Sequence, residues 1–371
     1  MINSFVGGGA ERVFSIFLRL AADKRERYDF TLILLDREPD AYAIPDWIET
    51  IRLDCRKSLL RSIFALTGAL RKVRPALTFS FLTRANAGCV IAARVLGFPC
   101  VISERVHTST HFGSGLHGKI SGALVRLTYP RADRVVTMNS EIVDDLATNF
   151  GVSRERITVV ANPVDSSAVL QAAQQLPEIT LPERFILTVG RLTKGKNAAA
   201  VIEAYTQADV PQALVILGEG PERNALADLI CAKGLEGRVF LPGFVKNPYA
   251  VMARAEILAS ATLSEGSPNV LLEALALGVP TVFTNCPTGP AEMLADKPRE
   301  DIKGLYETPY GILVPVGDIA AMADALVRLQ DADLRARLRV AGPKRAAVYG
   351  PDRFVRGMWT VIESGLAGGA V

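Results

Sequence analysis

Short β-rich runs alternate with helical segments along almost the whole chain, and they do so in two series. This alternation predicts parallel sheets with helices on both faces, because a crossover between parallel strands usually contains a helix. We therefore expect an α/β chain with two doubly wound domains in tandem. The predicted strands are 30–35, 77–81, 99–104, 134–139 and 156–162 in the first series, and 184–190, 213–218, 238–243, 255–260, 280–285 and 311–316 in the second.

The segment between the two series, residues 163–183, has little regular pattern. Its prolines, Pro163, Pro177 and Pro182, indicate a linker. Ligands of doubly wound sheets bind at the carboxyl ends of the strands, so two such domains facing each other would form a cleft. The predicted divisions are an N-terminal domain at 1–165, a linker at 166–183, a C-terminal domain at 184–350 and a final helix at 351–371.

The chain reaches a glycine-rich loop after only the residues Met1 to Asn3, whereas a strand typically has about five or six residues. We expect either a truncated first strand or a true start upstream of Met1. The opening sequence MINSFVGGGAER has no basic region followed by an apolar stretch, which argues against a signal peptide. No apolar run reaches the roughly 20 residues of a membrane span. These features predict a cytoplasmic protein.

Charge is distributed unevenly. The net charge is +3, but residues 1–160 carry 22 basic and 16 acidic residues, which favours an anionic partner. The segment 56–75 has basic ends around Leu, Ile and Phe, and it fits either a core helix with solvated ends or a helix on an anionic membrane surface. The basic first half favours peripheral membrane contact, and we expect no nucleic-acid partner.

The stretch LSEGSPNVLLEALALG, residues 263–278, predicts a buried apolar helix from Pro268 to Leu277, with Ser267 as its N-cap. Asn269 and Glu273 are four residues apart and share one face of this helix. A carboxylate in an apolar helix needs partners, which the hydroxyl groups of a sugar would supply. The alternative is that Glu273 pairs with a buried arginine and that Glu265, just before the helix, is merely solvated.

Two cations follow a predicted strand in the segment VGRLTKGKN, residues 189–197. Arg191 gives bidentate contacts to phosphate and Lys196 gives a point charge, so the pair suits a diphosphate. The alternative is a basic surface loop.

Two further patterns, a glycine-rich loop and a group of histidines, argue against a dinucleotide and a metal ion as ligands. A dinucleotide fingerprint counted from Gly7 needs a glycine where this chain has Arg12, which weakens an NAD interpretation. The three histidines, His107, His111 and His117, are spaced closely enough to share a metal. However, no Asp or Glu joins them within 105–131, so we expect no metal site.

Taken together, the motifs resemble the E-x7-E glycosyltransferases of the GT-B fold, in particular the large retaining family 4. Any one motif is weak evidence, but their common order along the chain is specific. The matching segments are FVGGGAERV (5–13), ISERVHTST (102–110), ANPVD (161–165), VGRLTKGKN (189–197), LGEGPER (217–223), LPGF (241–244), SEGSPNVLLEALALGVP (264–280) and GILVPVGD (311–318).

The resemblance implies two Rossmann-like domains facing across a cleft, with the last helix packing back on the first domain. It also implies roles for individual residues. Arg191 and Lys196 would hold the donor pyrophosphate, Glu265 would lie near the donor sugar, Glu273 would bind the ribose hydroxyls, and His107 would contact the transferred sugar. The remaining implied donor-site residues are Gly8, Gly9, Gly190, Gly218, Glu219, Gly266, Ser267, Pro268, Asn269 and Val270.

The implied reaction is retaining transfer of a hexose from a nucleotide-diphosphate sugar, with UDP as the expected nucleotide, to a glycan or polyprenyl-linked acceptor of cell-surface polysaccharide synthesis. No metal and no other cofactor is implied. The related lipid-glycan enzymes usually continue Ser-Glu-Arg with Asn-x-Pro, but Val106, His107 and Thr108 follow here, which leaves the acceptor class open.

Two alternative functions stay open as well. They are a nucleotide-sugar 2-epimerase, disfavoured because the C-terminal half has no histidine, and an inactive nucleotide-binding module.

Overall fold

The computed structural model describes residues 1–112 and 115–368. The chain divides into two compact units. The first contains Met1–Pro163 together with Pro351–Val371, and the second contains Val164–Gly350.

The first unit is built on parallel strands and helices. The strands pair in the orders β1-β2 and β3-β4-β5-β6. Its strands are β1 (Thr31–Leu34), β2 (Glu49–Arg52), β3 (Thr78–Phe81), β4 (Cys100–Ser103), β5 (Arg134–Thr137) and β6 (Ile157–Val159), and its helices are α1 (Gly9–Leu20), α2 (Leu59–Val73), α3 (Thr83–Leu96), α4 (Thr108–Phe112), α5 (Leu116–Thr128), α6 (Ser140–Phe150) and α15 (Pro351–Gly368).

The N-terminal residues join these two groups of strands. Ile2 forms a parallel bridge with Leu34 of β1. On the other side, the amide of Phe81 donates to the carbonyl of Met1 at 2.9 Å, and the amino group of Met1 donates to the carbonyl of Phe79 at 2.6 Å. Met1 to Asn3 therefore occupy the position between β1 and β3 where the sequence pattern requires a first strand, although only one bridge forms.

Apolar clusters cover both faces of this sheet. Leu66 and Leu70 of α2 belong to the cluster on one face. On the other face, Phe17 of α1 packs with Trp359 of α15, their ring centroids 5.9 Å apart. The last helix of the chain is thus part of the core of the first unit. No helix within the described residues is long and apolar enough to span a bilayer.

The second unit contains a seven-stranded sheet in the order β12-β13-β11-β10-β7-β8-β9, with only β12 antiparallel. Its helices cover the sheet and bury a large apolar cluster. The strands are β7 (Phe185–Val189), β8 (Ala213–Leu217), β9 (Val239–Gly243), β10 (Ile257–Ser260), β11 (Thr281–Thr284), β12 (Tyr306–Thr308) and β13 (Gly311–Val314), and the helices are α7 (Ser166–Ala173), α8 (Ala198–Ala208), α9 (Arg223–Ala232), α10 (Pro248–Met252), α11 (Asn269–Ala276), α12 (Pro290–Ala295), α13 (Ile319–Arg328) and α14 (Ala332–Ala347).

Every strand that the sequence predicts is present within its predicted span. The segment predicted as a linker, residues 166–183, begins with a helix, α7, which its irregular sequence pattern did not indicate. The side chain of Asp165 caps α7 by accepting from the amide of Ala168 at 3.1 Å, and Val169 is buried.

Candidate functional site

The loops that follow β7, β8 and β9 are tied together by backbone hydrogen bonds. The amide of Gly190 donates to the carbonyl of Leu217 at 3.0 Å, and the amide of Gly218 donates to the carbonyl of Gly243 at 2.9 Å. These contacts bring Gly190 and Gly218, both expected in a donor site, to the carboxyl edge of the seven-stranded sheet. This is the edge at which doubly wound sheets bind their ligands.

Gly218 is required by this close packing. Its φ is +133°, and an added Cβ would lie 1.9 Å from the carbonyl oxygen of Gly190. Only glycine tolerates both the backbone conformation and the approach. The next residue, Glu219, is 52% exposed, and its carboxylate pairs with Arg223 at 3.0 Å. The carboxylate of Glu219 thus pairs within its own segment. Its backbone carbonyl, in contrast, accepts from the amide of Leu192 on the loop after β7 at 2.9 Å.

The loop after β10 meets the loop after β7. The amide of Leu263 donates to the carbonyl of Gly195 at 2.8 Å. Beside this contact, the ammonium of Lys196 lies 2.5 Å from a carboxylate oxygen of Glu265. Two residues that the resemblance places around one donor are thus in direct contact, although 69 positions separate them. Arg191 lies on the same loop as Lys196 and is exposed to solvent.

The segment leading into α11 is held by the loop after β11. The amide of Glu265 donates to the carbonyl of Pro287 at 3.2 Å, and the hydroxyl of Thr288 donates to the carbonyl of Glu265. Thr288 was not anticipated, because no local pattern marks it. It fixes the backbone from which Gly266 and Ser267 continue toward the helix.

The expected bounds of the glutamate helix, Pro268 to Leu277, are each wrong by one residue. The helix runs from Asn269 to Ala276, and its N-cap is Pro268 rather than Ser267. Pro268 has a ψ of 94°, which is extended rather than helical, so helical backbone begins only at Asn269. The hydroxyl oxygen of Ser267 is buried and has no hydrogen-bond partner among the described residues. The N-terminal end of α11 therefore carries two kinds of polar group. They are the Ser267 hydroxyl and the first amides of the helix, including that of Val270.

Glu273 is only 6% exposed, as expected for a carboxylate on a buried helix. It accepts a hydrogen bond from the hydroxyl of Tyr249 in α10 at 3.3 Å. This contact ties the carboxylate near the middle of α11 to α10. A carboxylate in this position accepts hydrogen bonds from paired hydroxyl groups, such as those of a ribose.

The remaining predicted residues lie in the first unit. Gly8 is the N-cap of α1 and Gly9 is its first residue. A Cβ on Gly8 would clash with the carboxylate of Glu11, so a side chain at Gly8 would displace Glu11. The first turn of α1 thus already carries one acidic group near the helix N-terminus.

His107 lies between β4 and α4, and its side chain is 18% exposed. Its Nδ1 is 3.5 Å from a carboxylate oxygen of Asp145, which is longer than an ordinary hydrogen bond. Asp145 is buried and accepts from the amide of Ser109 at 3.0 Å and from the amide side chain of Asn149 at 2.9 Å. Asp145 therefore anchors the start of α4 next to His107, a role that sequence reasoning did not identify.

Glu104 and Arg105, which precede His107, were also not selected from the sequence, although the segment ISERVHTST contains them. Burial raises the pKa of Glu104, and its carboxylate accepts from the Tyr129 hydroxyl and from the amide of Arg105 at 2.8 Å. Burial lowers the pKa of Arg105 to about 9. Burying two adjacent ionisable side chains costs free energy of folding. Such groups with shifted pKa values occur often at functional sites, which makes this loop a candidate for one.

Metal ligands are not clustered in the part of the chain that the structure describes, where no three His, Cys, Asp or Glu side chains converge. The side chains of His111 and His117 lie outside the described residues.

The arrangement in the second unit combines cations, a buried carboxylate and the buried hydroxyl of Ser267. Arg191 and Lys196 carry positive charge that can attract an anion, and the carboxylate of Glu273 can accept hydrogen bonds from hydroxyl groups. The loops that hold them are joined by the contacts described above. This edge of the seven-stranded sheet can bind a ligand that has both phosphates and hydroxyl groups.

Two family models match the chain in succession. Residues 7–163 match a glycosyl transferase 4-like domain, and residues 183–332 match the glycosyl transferases group 1. The chain is 32% identical over 369 residues to the N-acetylgalactosamine-N,N'-diacetylbacillosaminyl-diphospho-undecaprenol 4-alpha-N-acetylgalactosaminyltransferase of Campylobacter jejuni, and 96% of each protein is covered. It is 25% identical to the GalNAc-alpha-(1->4)-GalNAc-alpha-(1->3)-diNAcBac-PP-undecaprenol alpha-1,4-N-acetyl-D-galactosaminyltransferase of the same organism, with 91% of this chain and 90% of the relative covered.

Solved structures of low sequence identity share the fold. HepE of Anabaena in complex with UDP superimposes with a TM-score of 0.74 at 17% identity, covering 98% of both chains. The sucrose-phosphate synthase of Thermosynechococcus elongatus superimposes with a TM-score of 0.80 at 18% identity, covering 99% of this chain and 96% of that one. These likenesses confirm the predicted GT-B fold with two Rossmann-like domains.

Proposed function

Because the chain belongs to the group 1 glycosyltransferases, we propose that it transfers a hexose from a UDP-sugar to a polyprenyl-linked glycan with retention of the anomeric configuration. The observation that supports the donor half of the proposal is the contact between Lys196, on the loop after β7 that also carries Arg191, and Glu265, which precedes the helix of Glu273. The names of the two Campylobacter jejuni relatives specify acceptors linked to undecaprenol through a diphosphate, and HepE was solved with UDP.

The chemistry assigned to the second unit is stabilisation of a leaving group. The bond from the anomeric carbon to UDP breaks, and its electron pair goes to the phosphate oxygen. Arg191 and Lys196 stabilise this charge, so the proposed reaction needs no metal and no cofactor besides the donor. The acceptor hydroxyl bonds to the anomeric carbon on the same face, and its proton passes to the departing phosphate oxygen. Glu265 holds Lys196 in place before the donor arrives.

Binding of the donor nucleotide is expected to depend on Glu273. At a concentration about 100-fold above its dissociation constant, UDP should stabilise the protein by roughly 2.7 kcal/mol, which a thermal-shift measurement detects. GDP, ADP and NAD at the same concentration should give smaller shifts. Glu273→Gln keeps the shape but removes the charge that accepts the ribose hydroxyls, so it should weaken UDP binding by roughly 10- to 100-fold. Tyr249→Phe keeps the carboxylate and removes only its hydrogen bond to Tyr249, so it should weaken UDP binding less than Glu273→Gln does. Equal UDP shifts in native protein and Glu273→Gln would contradict the assignment.

The overall reaction is tested by incubating the protein with UDP-hexoses, with and without a polyprenyl-diphosphate-linked glycan. We expect sugar transfer only with the acceptor, and an NMR spectrum of the product should show the anomeric configuration of the donor. Formation of a C2 epimer without acceptor would indicate the epimerase instead. Binding of UDP without any turnover would indicate an inactive module.

The exposed side of α2 supports peripheral binding to the inner face of a membrane. Leu60 and Phe64 of α2 are 68% and 77% exposed, whereas Leu66 and Leu70 are buried. Residues 55–132 contain twelve basic residues and only one acidic residue, the buried Glu104. An exposed apolar pair on a segment with an excess of basic residues matches an anionic lipid surface, where each nearby cation contributes about 1 kcal/mol.

Replacement of both exposed apolar residues, Leu60→Asp with Phe64→Asp, is expected to lower binding to phosphatidylglycerol-containing vesicles at least about tenfold, because it removes the apolar contact and adds repulsive charge. A vesicle sedimentation assay measures this effect. Val340→Asp, at a residue 62% exposed in the second unit, is the control. Undiminished sedimentation of the double variant would refute this surface.

A further inference from the structure

Unpaired buried polar atoms cluster between the end of β4 and the start of α4. Among the residues that the structure describes, the Ser103 hydroxyl, Nε and Nη2 of Arg105, Nδ1 of His107 and the Thr108 hydroxyl are buried without a hydrogen-bond partner. Buried polar groups in folded proteins are almost always hydrogen-bonded. A group of exceptions at the carboxyl end of a parallel strand therefore indicates a place where a ligand supplies the missing bonds.

Arg105 is the only charged side chain of this group with two free donors, and its geometry is specific. It is 4% exposed, its guanidinium lies 4.5 Å from the ring centroid of Phe81, and its Nη1 donates to the side-chain oxygen of Asn162 at 3.0 Å. Phe81 ends β3 and Asn162 follows β6, so the guanidinium lies over the carboxyl edge of the sheet. The unpaired atoms, Nε and Nη2, form the side of the guanidinium that binds two oxygens of a phosphate or carboxylate at once.

The protein fills the two-nitrogen fork at the end of another guanidinium with its own carboxylate. The guanidinium of Arg84, which follows β3, donates through Nη1 and Nη2 to the two carboxylate oxygens of Asp36. Glu104, the neighbour of Arg105, is engaged elsewhere, because its carboxylate accepts from the Tyr129 hydroxyl and from the amides of Arg105 and Val106 at 2.8 and 3.2 Å. The contact of Arg84 is structural, whereas Nε and Nη2 of Arg105 have no carboxylate partner among the described residues.

We propose that Arg105 binds the diphosphate of the acceptor through its Nε–Nη2 edge. The assignment to the acceptor rests on the proposed function. The donor diphosphate has its own cations, Arg191 and Lys196, in the other unit. The two free nitrogens are shielded from solvent, so binding requires the segment 104–108 to shift. In that low-dielectric setting a charge-assisted bidentate contact is stronger than one in water.

Binding of an anion to Arg105 is tested directly with inorganic pyrophosphate and calorimetry. Lys196→Ala serves as the background, because it weakens the phosphate site of the second unit. Adding Arg105→Gln to this background is expected to weaken pyrophosphate binding roughly 10- to 100-fold, as for loss of hydrogen bonds to a charged group. Adding Arg94→Gln, at an exposed arginine of the same unit, should leave binding unchanged. Equal pyrophosphate affinity with and without Arg105, or no binding in the background protein, would overturn the proposal.

A melting-temperature measurement separates a ligand site from a structural role. Arg105→Gln loses one hydrogen bond to Asn162 but also removes a buried charge with two unpaired donors, so it should melt close to the native temperature. Arg84→Gln, which strands Asp36, should melt clearly lower. A comparable loss of stability in both variants would make Arg105 a structural residue and overturn the proposal.

Steady-state kinetics of the otherwise native chain distinguish the two sources of a diphosphate. Arg105→Gln is expected to raise the KM for a polyprenyl-diphosphate-linked acceptor roughly 10- to 100-fold and to leave the KM for the UDP-sugar unchanged. A rise in the donor KM alone would overturn the assignment to the acceptor. If the native chain transfers no sugar, the proposed function fails, while the calorimetric result still decides whether Arg105 binds a phosphate.

Discussion

Replacement of Lys196 by alanine is expected to lower kcat by about 10²- to 10³-fold, the usual effect of deleting one preorganised donor that stabilises transition-state charge. The ammonium of Lys196 is held at 2.5 Å from the carboxylate of Glu265, so its position is set before a donor binds. In the proposed reaction the negative charge on the departing UDP grows as the bond to the anomeric carbon breaks. An interaction that strengthens with this charge acts on kcat more than on the KM for the donor.

Initial-rate kinetics with varied UDP-sugar measure this effect. Lys194→Ala is the matched control, because Lys194 lies on the same loop two residues earlier but is exposed and has no role in the proposal. Lys196→Arg keeps the charge but changes its shape and should recover only part of the rate. A Lys196→Ala variant with native kcat and a raised KM would show that the lysine binds the donor without stabilising its departure.

Replacement of Gly218 by alanine is expected to destabilise the second unit by about 3 kcal/mol or more and to abolish UDP binding. The φ of Gly218 is +133°, and the new Cβ would lie 1.9 Å from the carbonyl oxygen of Gly190. The oxygen belongs to the backbone and the position of the Cβ is fixed by the backbone of residue 218, so neither can move aside without disturbing the hydrogen bonds that tie the loops after β7 and β8. Large losses of this kind arise where steric overlap and backbone strain combine.

Chemical denaturation and UDP titration check this result. Gly195→Ala provides the control within the same site, because an added Cβ at Gly195 has no atom within 4 Å and its φ is not in the left-handed region. Gly195→Ala should keep both stability and UDP binding. A Gly218→Ala variant as stable as Gly195→Ala would mean that the loops pack less tightly than the structure shows.

The central strands were predictable because they are buried on both faces. Strands such as β10 and β11 are short apolar runs bounded by turn residues, a signal that lies within the run itself. The edge strands β2 and β12 were missed for the opposite reason. Their residues are largely exposed or half-buried, so neither a continuous apolar run nor a clean alternation marks them. Pairing with a distant neighbour, rather than local composition, makes these segments strands.

The linker helix shows how a local signal can be obscured by its surroundings. Asp165 followed by a short run of Ser and Ala is an N-cap pattern, but the prolines of 163–183 outweighed it in the prediction. Burial of Val169 against the second unit supplies the stabilisation that so short a helix lacks by itself.

Sequence alone determined the strand–helix alternation, the order of the glycosyltransferase motifs, and the choice of Arg191, Lys196, Glu265 and Glu273. The alternation is carried by residues a few positions apart, which local periodicity reveals, whereas the motif order and the roles of these four residues come from the resemblance to the glycosyltransferase family. Only the tertiary structure decided that Lys196 touches Glu265, that Gly218 must be glycine, and that the fork of Arg105 has no carboxylate partner. Those properties depend on contacts between segments far apart in the chain, which exist only once the sheet has brought its loops to one edge.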